Sequence, residues 1–456
     1  MSQLDRLVIT AKPTVHVGPG TIGELPGIVR AVGADQAVVV TDEAFAVAPV
    51  IETVLTVLAD AGVPARLFAG VHPVPPPADL AGGTEAVAEA AAVAAMLTPS
   101  APLVAQPSGP HPVLRPSAPS QPSGPHPVLH APAPSQPSGP HRVLRPSALP
   151  SPIPPALAGP RIVLVAVGSA APIDAAKGIA IAAASSQSGQ DPDARLDGAL
   201  PIVAVPVAAG TGAETSCVGL IADPADGRTF CVGHDGTMPA AAILDPELTA
   251  GLAPAVIAAG GLDTLTRALE SYLALRPNPW SDGIALQVIR MVAASLPRAV
   301  MDGTDLAAQS QLLLAAHMAG VATASTGLGL CHAIGRSVCM RWDVARGAAL
   351  AMLLPEVLRF NLPARLERMA DVAFALGVGD THADTWPNAE AAIGAVTALR
   401  DDAGLNRLMS DFGITEADFA QICADALADE SLASTPRPPT EADIRAILLA
   451  VSGSPR

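Results

Sequence analysis

Aromatic side chains are scarce in this sequence, which has seven Phe, three Trp and one Tyr among 456 residues. Packing must therefore rest on Ala, Val and Leu, which favours helices and buried parallel strands. Cysteines are few as well, with five at positions 217, 231, 331, 339 and 423. Their odd number and the absence of any CxxC pair argue against a disulfide framework and against a structural zinc knuckle.

Positive charge is also in short supply. Lys and Arg together number 26 against 42 Asp and Glu, a formal net charge of −16. This balance argues against nucleic acid and against an anionic membrane surface as partners. No charge-free apolar run approaches the roughly 20 residues that span a bilayer, and the N-terminal residues lack the apolar region of a signal peptide. We therefore expect no membrane partner and a cytoplasmic location.

A repeat interrupts the chain. The hexapeptide QPSGPH occurs at 106–111, 121–126 and 136–141, and residues 99–160 consist mainly of Pro, Ser, Ala and Gly. Such a composition buries too little apolar surface to offset its ordering entropy, so we expect this insert to be disordered or polyproline-like. Its four histidines could bind metal loosely, or the repeat could be an insertion tolerated in a surface loop.

Apolar runs with the length of strands alternate with helical patterns on both sides of the insert. Strands are predicted at 36–41, 65–68, 162–167 and 202–205, and helices at 48–61, 84–97 and 173–184. This alternation predicts an α/β domain with a parallel, doubly wound sheet, formed by residues 1–98 and 161–208. From about residue 249 only helical patterns follow, so residues 209–456 are predicted to form a helical domain.

Four segments carry a family resemblance. They are VAVGSAAPIDAAKG, VPVAAGTGAETS, LDPELTAGLAPAVIAAGGLDTLTRALESY and GLCHAIGRSVCMRWDVARGAALAMLLPEVLRFN, which begin at residues 165, 205, 244 and 329. In order and spacing they resemble the iron-dependent (group III) alcohol dehydrogenases, which include the maleylacetate reductases. The resemblance implies the dehydroquinate synthase-like architecture of that family: a dinucleotide-binding α/β domain, an all-helical C-terminal domain and an active site between them. It also implies a homodimer.

The cofactor positions that the resemblance implies are only partly kept. A Gly-Gly-Gly-Ser loop becomes Gly168, Ser169, Ala170 and Ala171 here, and two threonines that contact the cofactor become Val207 and Ala208. Matching positions remain, and we predict that they bind the cofactor: Asp42, Gly168, Ser169, Asp174, Lys177, Gly210 and Thr211. Asp42 could accept a hydrogen bond from a ribose hydroxyl, which would favour NAD over NADP, or it could be a helix N-cap. NAD(P) binding is thus a weakened expectation.

The metal positions depart further. Family ligands Asp, His, His and His map to Asp263, Arg267, His332 and Arg346, and a further family histidine near the nicotinamide maps to Arg336. Guanidinium groups stay protonated and offer no lone pair. One carboxylate and one imidazole are a poor site for iron or zinc, so we predict no tightly bound catalytic metal.

Two explanations of the arginines stay open: decay of a redundant protein, or a repurposed cleft in which fixed positive charge binds an anionic small molecule. Three functions follow. The first is a metal-independent cyclisation, dehydration or isomerisation, with His332 and Asp263 moving protons and the arginines binding the substrate. The second is an NAD(P)-dependent dehydrogenase or reductase in which arginine replaces the metal. The third is a non-catalytic binding protein. His332 could instead be a structural histidine.

Overall fold

The computed structural model describes residues 13–97, 161–187, 199–223, 229–342 and 344–453. The repeat insert predicted at 99–160 lies outside the described residues, so its predicted disorder remains a prediction.

A six-stranded parallel sheet forms the first half of the chain. Its strands are β1 (Thr14–Val17), β2 (Gln36–Asp42), β3 (Ala65–Val71), β4 (Ile162–Gly168), β5 (Ile202–Pro206) and β8 (Ala241–Leu244). They lie in the order β1-β8-β5-β4-β2-β3, and every pairing is parallel. A separate antiparallel hairpin consists of β6 (Val218–Ala222) and β7 (Thr229–Gly233). The predicted parallel sheet is confirmed.

Helices cover both faces of the sheet. They are α1 (Leu25–Ala31), α2 (Glu43–Ala46), α3 (Pro49–Asp60), α4 (Pro77–Leu97) and α5 (Ala170–Gln187). Successive strand residues point to opposite faces: Val39 and Val165 pack with α1 and α3, whereas Val38 and Leu164 pack with α4 and α5. The strands are therefore apolar throughout, which is why they read as continuous Val, Ile and Ala runs.

The second half of the chain is helical, as predicted. Its helices are α6 (Pro254–Leu273), α7 (Pro279–Met301), α8 (Leu306–Thr326), α9 (Leu330–Arg341), α10 (Arg346–Asn361), α11 (Leu366–Ala375), α12 (Thr385–Asp402), α13 (Phe419–Leu427) and α14 (Glu441–Ala450). One continuous apolar core joins them. Helix α7 is long and apolar enough to cross a membrane by length and composition, but this is weak evidence, because buried core helices pass the same test and 44 % of its apolar window is buried.

The boundary predicted at residue 209 differs from the structure. Strand β8 lies between β1 and β5, so the α/β body continues through Leu244. The hairpin packs on α5, because a Cβ on Gly219 would lie 2.7 Å from the backbone oxygen of Asp174. β8 was missed because four apolar residues carry no periodicity that separates a strand from a helix.

Close backbone packing holds α10 against α6. A Cβ on Gly347 would lie 1.9 Å from the carbonyl oxygen of Ala259, so the backbone would have to move. We expect Gly347→Ala to lower the free energy of unfolding by about 2 kcal/mol, measured by urea denaturation. Gly394→Ala is the matched control: it lies within α12, where an added Cβ would meet no atom within 4 Å, and should be neutral or stabilising. Equal effects of the two substitutions would contradict this packing argument.

Candidate functional site

The first half of the site lies where the sheet reverses its winding. The chain passes from β2 to β3 on one side and from β4 to β5 on the other, while β2 and β4 are neighbours. Ligands of open α/β sheets bind at such a switch point, beyond the carboxyl ends of the strands. Val40 pairs with Ala166, so Asp42 and Gly168, two residues further on, end adjacent strands. The fold thus brings together two predicted cofactor residues 126 positions apart.

Gly168 occupies the turn that requires glycine. Its φ is +144°, and a Cβ there would lie 2.8 Å from Cγ of Pro172. Ser169 is exposed, and α5 begins at Ala170. The first N–H groups of a helix have no partner within the helix and attract anions. The one glycine that survives in this loop is therefore the one that the turn needs, and it leads through Ser169 into the N-terminus of α5.

Asp42 is a helix N-cap. Its Oδ1 accepts a hydrogen bond of 2.9 Å from the backbone N–H of Phe45. Burial raises the pKa of this carboxyl, and the N–H donors of α2 oppose that shift. The capping alternative is confirmed, whereas the ribose contact stays a prediction.

Lys177 is a fully buried side chain. Its ammonium donates to the carbonyl oxygens of Ala213 at 2.8 Å and Val218 at 2.7 Å, and lies 3.3 Å from Oδ1 of Asp174. Burial raises the pKa of Asp174, while Lys177 and Arg346 oppose the rise. Lys177 therefore ties the hairpin and the loop before it to α5. Because its ammonium is buried, it is not exposed to make the cofactor contact predicted for it.

The loop after β5 packs tightly against the helical domain. Gly212 has a φ of +61°, and a Cβ there would lie 2.7 Å from the carbonyl oxygen of Ala316 on α8. Thr211 Oγ1 accepts a hydrogen bond of 3.1 Å from the N–H of Ala213. Gly210 lies against α6, since a Cβ added to it would lie 3.7 Å from Cα of Gly260. This loop closes one side of a cleft between the two halves of the chain.

The cleft has a volume of about 610 Å³. It is lined by seven of the predicted site residues: Ser169, Asp174, Gly210, Thr211, Asp263, Arg336 and Arg346. Asp42, Gly168, Lys177, Arg267 and His332 do not line it. The predicted cofactor and catalytic residues thus meet across one cavity, with some of them behind its wall.

Asp263 is the centre of the catalytic side. It is 2 % exposed; its Oδ1 accepts from Nε of Arg267 at 2.9 Å, and its Oδ2 accepts from Nε of Arg346 at 2.8 Å. Burial alone would raise the pKa of this carboxyl, but Arg346 and Arg267 hold it well below its usual range. A carboxylate held in this way is a poor proton carrier near neutral pH, so the proton-transfer role predicted for Asp263 does not fit its surroundings.

Glu270 supports His332, the other residue predicted to move protons, from behind. Its carboxylate accepts from the N–H groups of Gly329 at 2.9 Å and Cys331 at 2.7 Å, and so caps α9. His332 Nδ1 lies 2.5 Å from Oε2 of Glu270. Its Nε2 is buried without a hydrogen-bond partner, 3.5 Å from Oδ1 of Asp263. The imidazole therefore bridges two carboxylates inside the wall and does not reach the cleft surface.

Arg336 does not join the other two arginines on Asp263. Its Nη1 donates to both carboxylate oxygens of Asp429, at 3.2 and 3.0 Å. The side chain lines the main cleft and also a smaller cavity of about 330 Å³. The predicted cluster of three arginines is thus a pair on Asp263 and a third guanidinium on Asp429, a partner that no motif indicated.

A buried pair between Glu214 and His317 was also missed. Glu214 lines the cleft, and its Oε1 lies 3.1 Å from Nδ1 of His317 on α8. Glu214 belongs to the GTG segment, which was a usable signal, but nothing in the sequence links it to His317. The pair holds the GTG turn against the helical domain.

The family resemblance implies a metal, and these residues do not fit one. Both oxygens of Asp263 are bound by guanidinium groups, and only His332 remains as a second donor. Within the described ranges, no group of three or more His, Cys, Asp or Glu side chains is arranged to hold a metal ion. A catalytic dication with three protein ligands has no counterpart in this donor set.

The buried carboxylate of Glu270 predicts a pH dependence of stability. Burial alone would raise its pKa, but His332 and the α9 N–H groups lower it below 4.5. A group whose pKa is lowered in the folded state stabilises above its unfolded pKa and loses that contribution as pH falls through the folded value. We expect Glu270→Gln to lower the unfolding free energy by about 2 kcal/mol at neutral pH, a difference that shrinks below about pH 4.

Urea denaturation across this pH range measures the effect. Glu356→Gln is the control, because Glu356 pairs with Arg359 near the surface. This substitution should change the free energy of unfolding by less than about 1 kcal/mol at every pH. A Glu270→Gln difference that stayed constant down to about pH 3 would count against the lowered pKa.

Comparisons with known proteins agree with this architecture. The pattern of the family described as iron-containing alcohol dehydrogenase matches residues 159–246, and its C-terminal counterpart matches 257–452. The probable alcohol dehydrogenase EutG of Salmonella typhimurium is 38 % identical over 284 residues, 62 % of this chain and 70 % of that protein. The NAD-dependent methanol dehydrogenase of Bacillus methanolicus is 33 % identical over 288 residues, 62 % of this chain and 76 % of that protein. The crystal structure of a 1,3-propanediol oxidoreductase superimposes with a TM-score of 0.77 at 27 % identity, covering 98 % of this chain and 100 % of that one.

Proposed function

Because this chain belongs to the iron-containing alcohol dehydrogenase family, we propose that it is a nicotinamide-dinucleotide-dependent oxidoreductase that interconverts a small alcohol and its carbonyl compound. The observation that carries the proposal is the shared cleft: the N-terminal turn of α5 and the Asp263–Arg346 pair line the same cavity. A dinucleotide whose diphosphate lay at the N-terminal turn of α5 would place its nicotinamide ring towards the Asp263–Arg346 pair.

Three features of the chain support the proposed cofactor binding. Gly168 turns the chain into α5, whose first N–H groups and the exposed Ser169 can bind the diphosphate. Asp42 ends the adjacent strand, on the side where the adenosine ribose would lie. A bound nicotinamide ring supplies the chemistry of accepting or donating a hydride. The printed name of the methanol dehydrogenase, which includes NAD, supports this choice of cofactor.

Arg346 is the residue that we assign to the reacting oxygen. Its Nε is bound to Asp263, which leaves its Nη groups without another hydrogen bond to the described residues, and 32 % of its side chain is exposed. Fixed N–H donors stabilise charge that develops on a carbonyl or alkoxide oxygen. In oxidation, the hydrogen on the carbinol carbon would leave as hydride to the oxidised nicotinamide ring, and the hydroxyl proton would pass to water. The C–O bond then becomes a carbonyl beside Arg346, and reduction is the reverse.

A metal-independent cyclisation, dehydration or isomerisation, the first of the predicted functions, finds no support among the relatives, which are named as dehydrogenases and oxidoreductases. The cleft favours the second predicted function for a geometric reason. His332, the proposed proton carrier, is buried behind the wall, whereas the loop for a diphosphate lines the cavity.

Arg346→Gln tests the role of the guanidinium. We expect kcat to fall about a hundredfold, the usual size of a lost donor to a developing oxyanion, while dinucleotide affinity changes little. Arg359→Gln is the matched control on the same helix, since Arg359 pairs with Glu356 away from the cleft. Hydride transfer is followed by nicotinamide absorbance and dinucleotide binding by calorimetry. Absence of any NAD(H) or NADP(H) binding would overturn the proposed function.

Elemental analysis tests the metal-free assignment separately. We expect far less than one iron or zinc per chain after purification, and we expect a chelator to leave turnover unchanged. The reason is that Arg267 and Arg346 already bind both oxygens of Asp263, the one carboxylate among the four positions that match the family's metal ligands. One iron or zinc per chain would contradict the role given to Arg346.

A further inference from the structure

Each carboxylate that lines the cleft has a basic side chain as its partner behind the wall. Asp174 has the fully buried Lys177, Glu214 has His317, and Asp263 has Arg267. None of these three partners lines the cavity. The negative side chains of the wall are therefore already occupied from inside the protein.

The two cationic side chains of the wall, in contrast, keep hydrogen-bond donors that are not used within the protein. Arg336 and Arg346 both line the cleft. Among the described residues, Arg346 makes its hydrogen bond through Nε alone and Arg336 makes its hydrogen bonds through Nη1 alone. Each guanidinium has five N–H donors, so each keeps donors for a ligand.

Two guanidinium groups share the carboxylate of Asp263 at the wall. The carboxylate of Glu270 lies on the other side of the His332 ring from Asp263 and pairs with neither arginine. Burial and the neighbouring Arg346 and Arg336 lower the pKa of Arg267, whereas Asp263 opposes this shift. A negative ligand in the cleft would relieve this repulsion, and a neutral one would not.

We propose that the substrate is a short hydroxycarboxylate or the corresponding oxocarboxylate, with its carboxylate on Arg336 and its reacting oxygen at Arg346. This rests on the proposed hydride transfer and adds a substrate class to it. Asp429 holds Arg336 through one nitrogen and so orients the guanidinium, whose remaining donors can pair with a carboxylate. The smaller cavity that Arg336 also lines carries Asp223, Asp425, Asp429 and Glu430, so the substrate carboxylate would pair with Arg336 on the side that faces the main cleft.

Binding and turnover of matched compounds test this. The probes are glycolate and lactate, with ethylene glycol as the neutral counterpart, on the full chain saturated with the dinucleotide. We expect the carboxylates to bind at least about tenfold more tightly than ethylene glycol, as charge-assisted pairing with a guanidinium allows. Arg336→Gln should remove this preference by raising Kd and KM for the carboxylates, with little change in kcat. Arg359→Gln is the control, since Arg359 pairs with Glu356 and lines neither cavity.

Equal affinity for neutral and anionic probes, or a carboxylate preference that survives Arg336→Gln, would overturn the substrate class. So would an Arg336→Gln variant that loses affinity for the dinucleotide alone, because the arginine would then bind a cofactor phosphate. In each of these outcomes the proposed hydride transfer stands. Failure of the unaltered chain to bind any dinucleotide would instead remove the proposed function and this inference with it.

Discussion

Asp263→Asn should lower the free energy of unfolding by about 3–5 kcal/mol, the usual cost of removing one partner from a buried ion pair. The substitution keeps the size of the side chain but replaces one accepting oxygen with an amide that donates. Arg267 and Arg346 would then face each other without the charge that pairs both. The loss should be measured by urea or thermal unfolding near neutral pH.

Asp305→Asn is the matched control for this prediction. Asp305 caps α8 and pairs with the exposed Arg298; asparagine keeps the cap, so the loss should stay below about 1 kcal/mol. Adding Arg267→Gln to Asp263→Asn should recover part of the stability, since it removes one of the two repelling charges. If Asp263→Asn cost no more than the control, the Asp263 carboxylate would not be holding the two arginines in place.

Lys177→Met should lower the free energy of unfolding by a similar amount, about 3–5 kcal/mol. Methionine fills nearly the same space but leaves Asp174 without its cation and removes the ammonium that donates to the carbonyls of Ala213 and Val218. Ser216 still donates to both carbonyls, so most of the loss comes from the carboxylate of Asp174, which stays buried without its charge partner. Chemical denaturation measures the loss, and calorimetry at low temperature measures dinucleotide affinity in the folded fraction.

Two outcomes separate the structural role of Lys177 from the predicted cofactor contact. A large loss of stability with dinucleotide affinity nearly unchanged supports the buried tie between α5 and the hairpin. A loss of affinity without a loss of stability would mean that the ammonium reaches the cofactor. Arg290→Met, the removal of an exposed cation on α7, should stay within about 0.5 kcal/mol of the unaltered chain.

The fold was predictable because its signals are local. Runs such as IVLVAV at 162–167 are continuous because the strands of a parallel sheet are buried on both faces. Helix ends were less predictable: α5 begins at Ala170, three residues before its predicted start, because the glycine turn and not the apolar pattern sets the helix N-terminus. The short strand β8 and the β6–β7 hairpin carry no such pattern, and only their pairing partners identify them.

The site divides in the same way. Residue types at spaced positions were enough to assign the family and to recognise that arginine at positions 267, 336 and 346 cannot bind metal. The acidic partners of these arginines could be predicted from sequence spacing only where both residues lie on the same helix. Asp263 and Arg267 are one helical turn apart, so their contact follows from the sequence, whereas Arg346 lies 83 positions from Asp263 and Asp429 lies 93 positions from Arg336.

Local chemistry was therefore enough for the classes of element and for the family, because each depends on residue type and short spacing. The charge balance of the cleft depends on which cations lie behind its wall and which lie on it. Lys177 and Arg346 are both cations in family motifs, yet one is a buried tie and the other faces the cavity. Long-range packing makes that difference, because burial and the geometry of the partners decide where a charge remains available to a ligand.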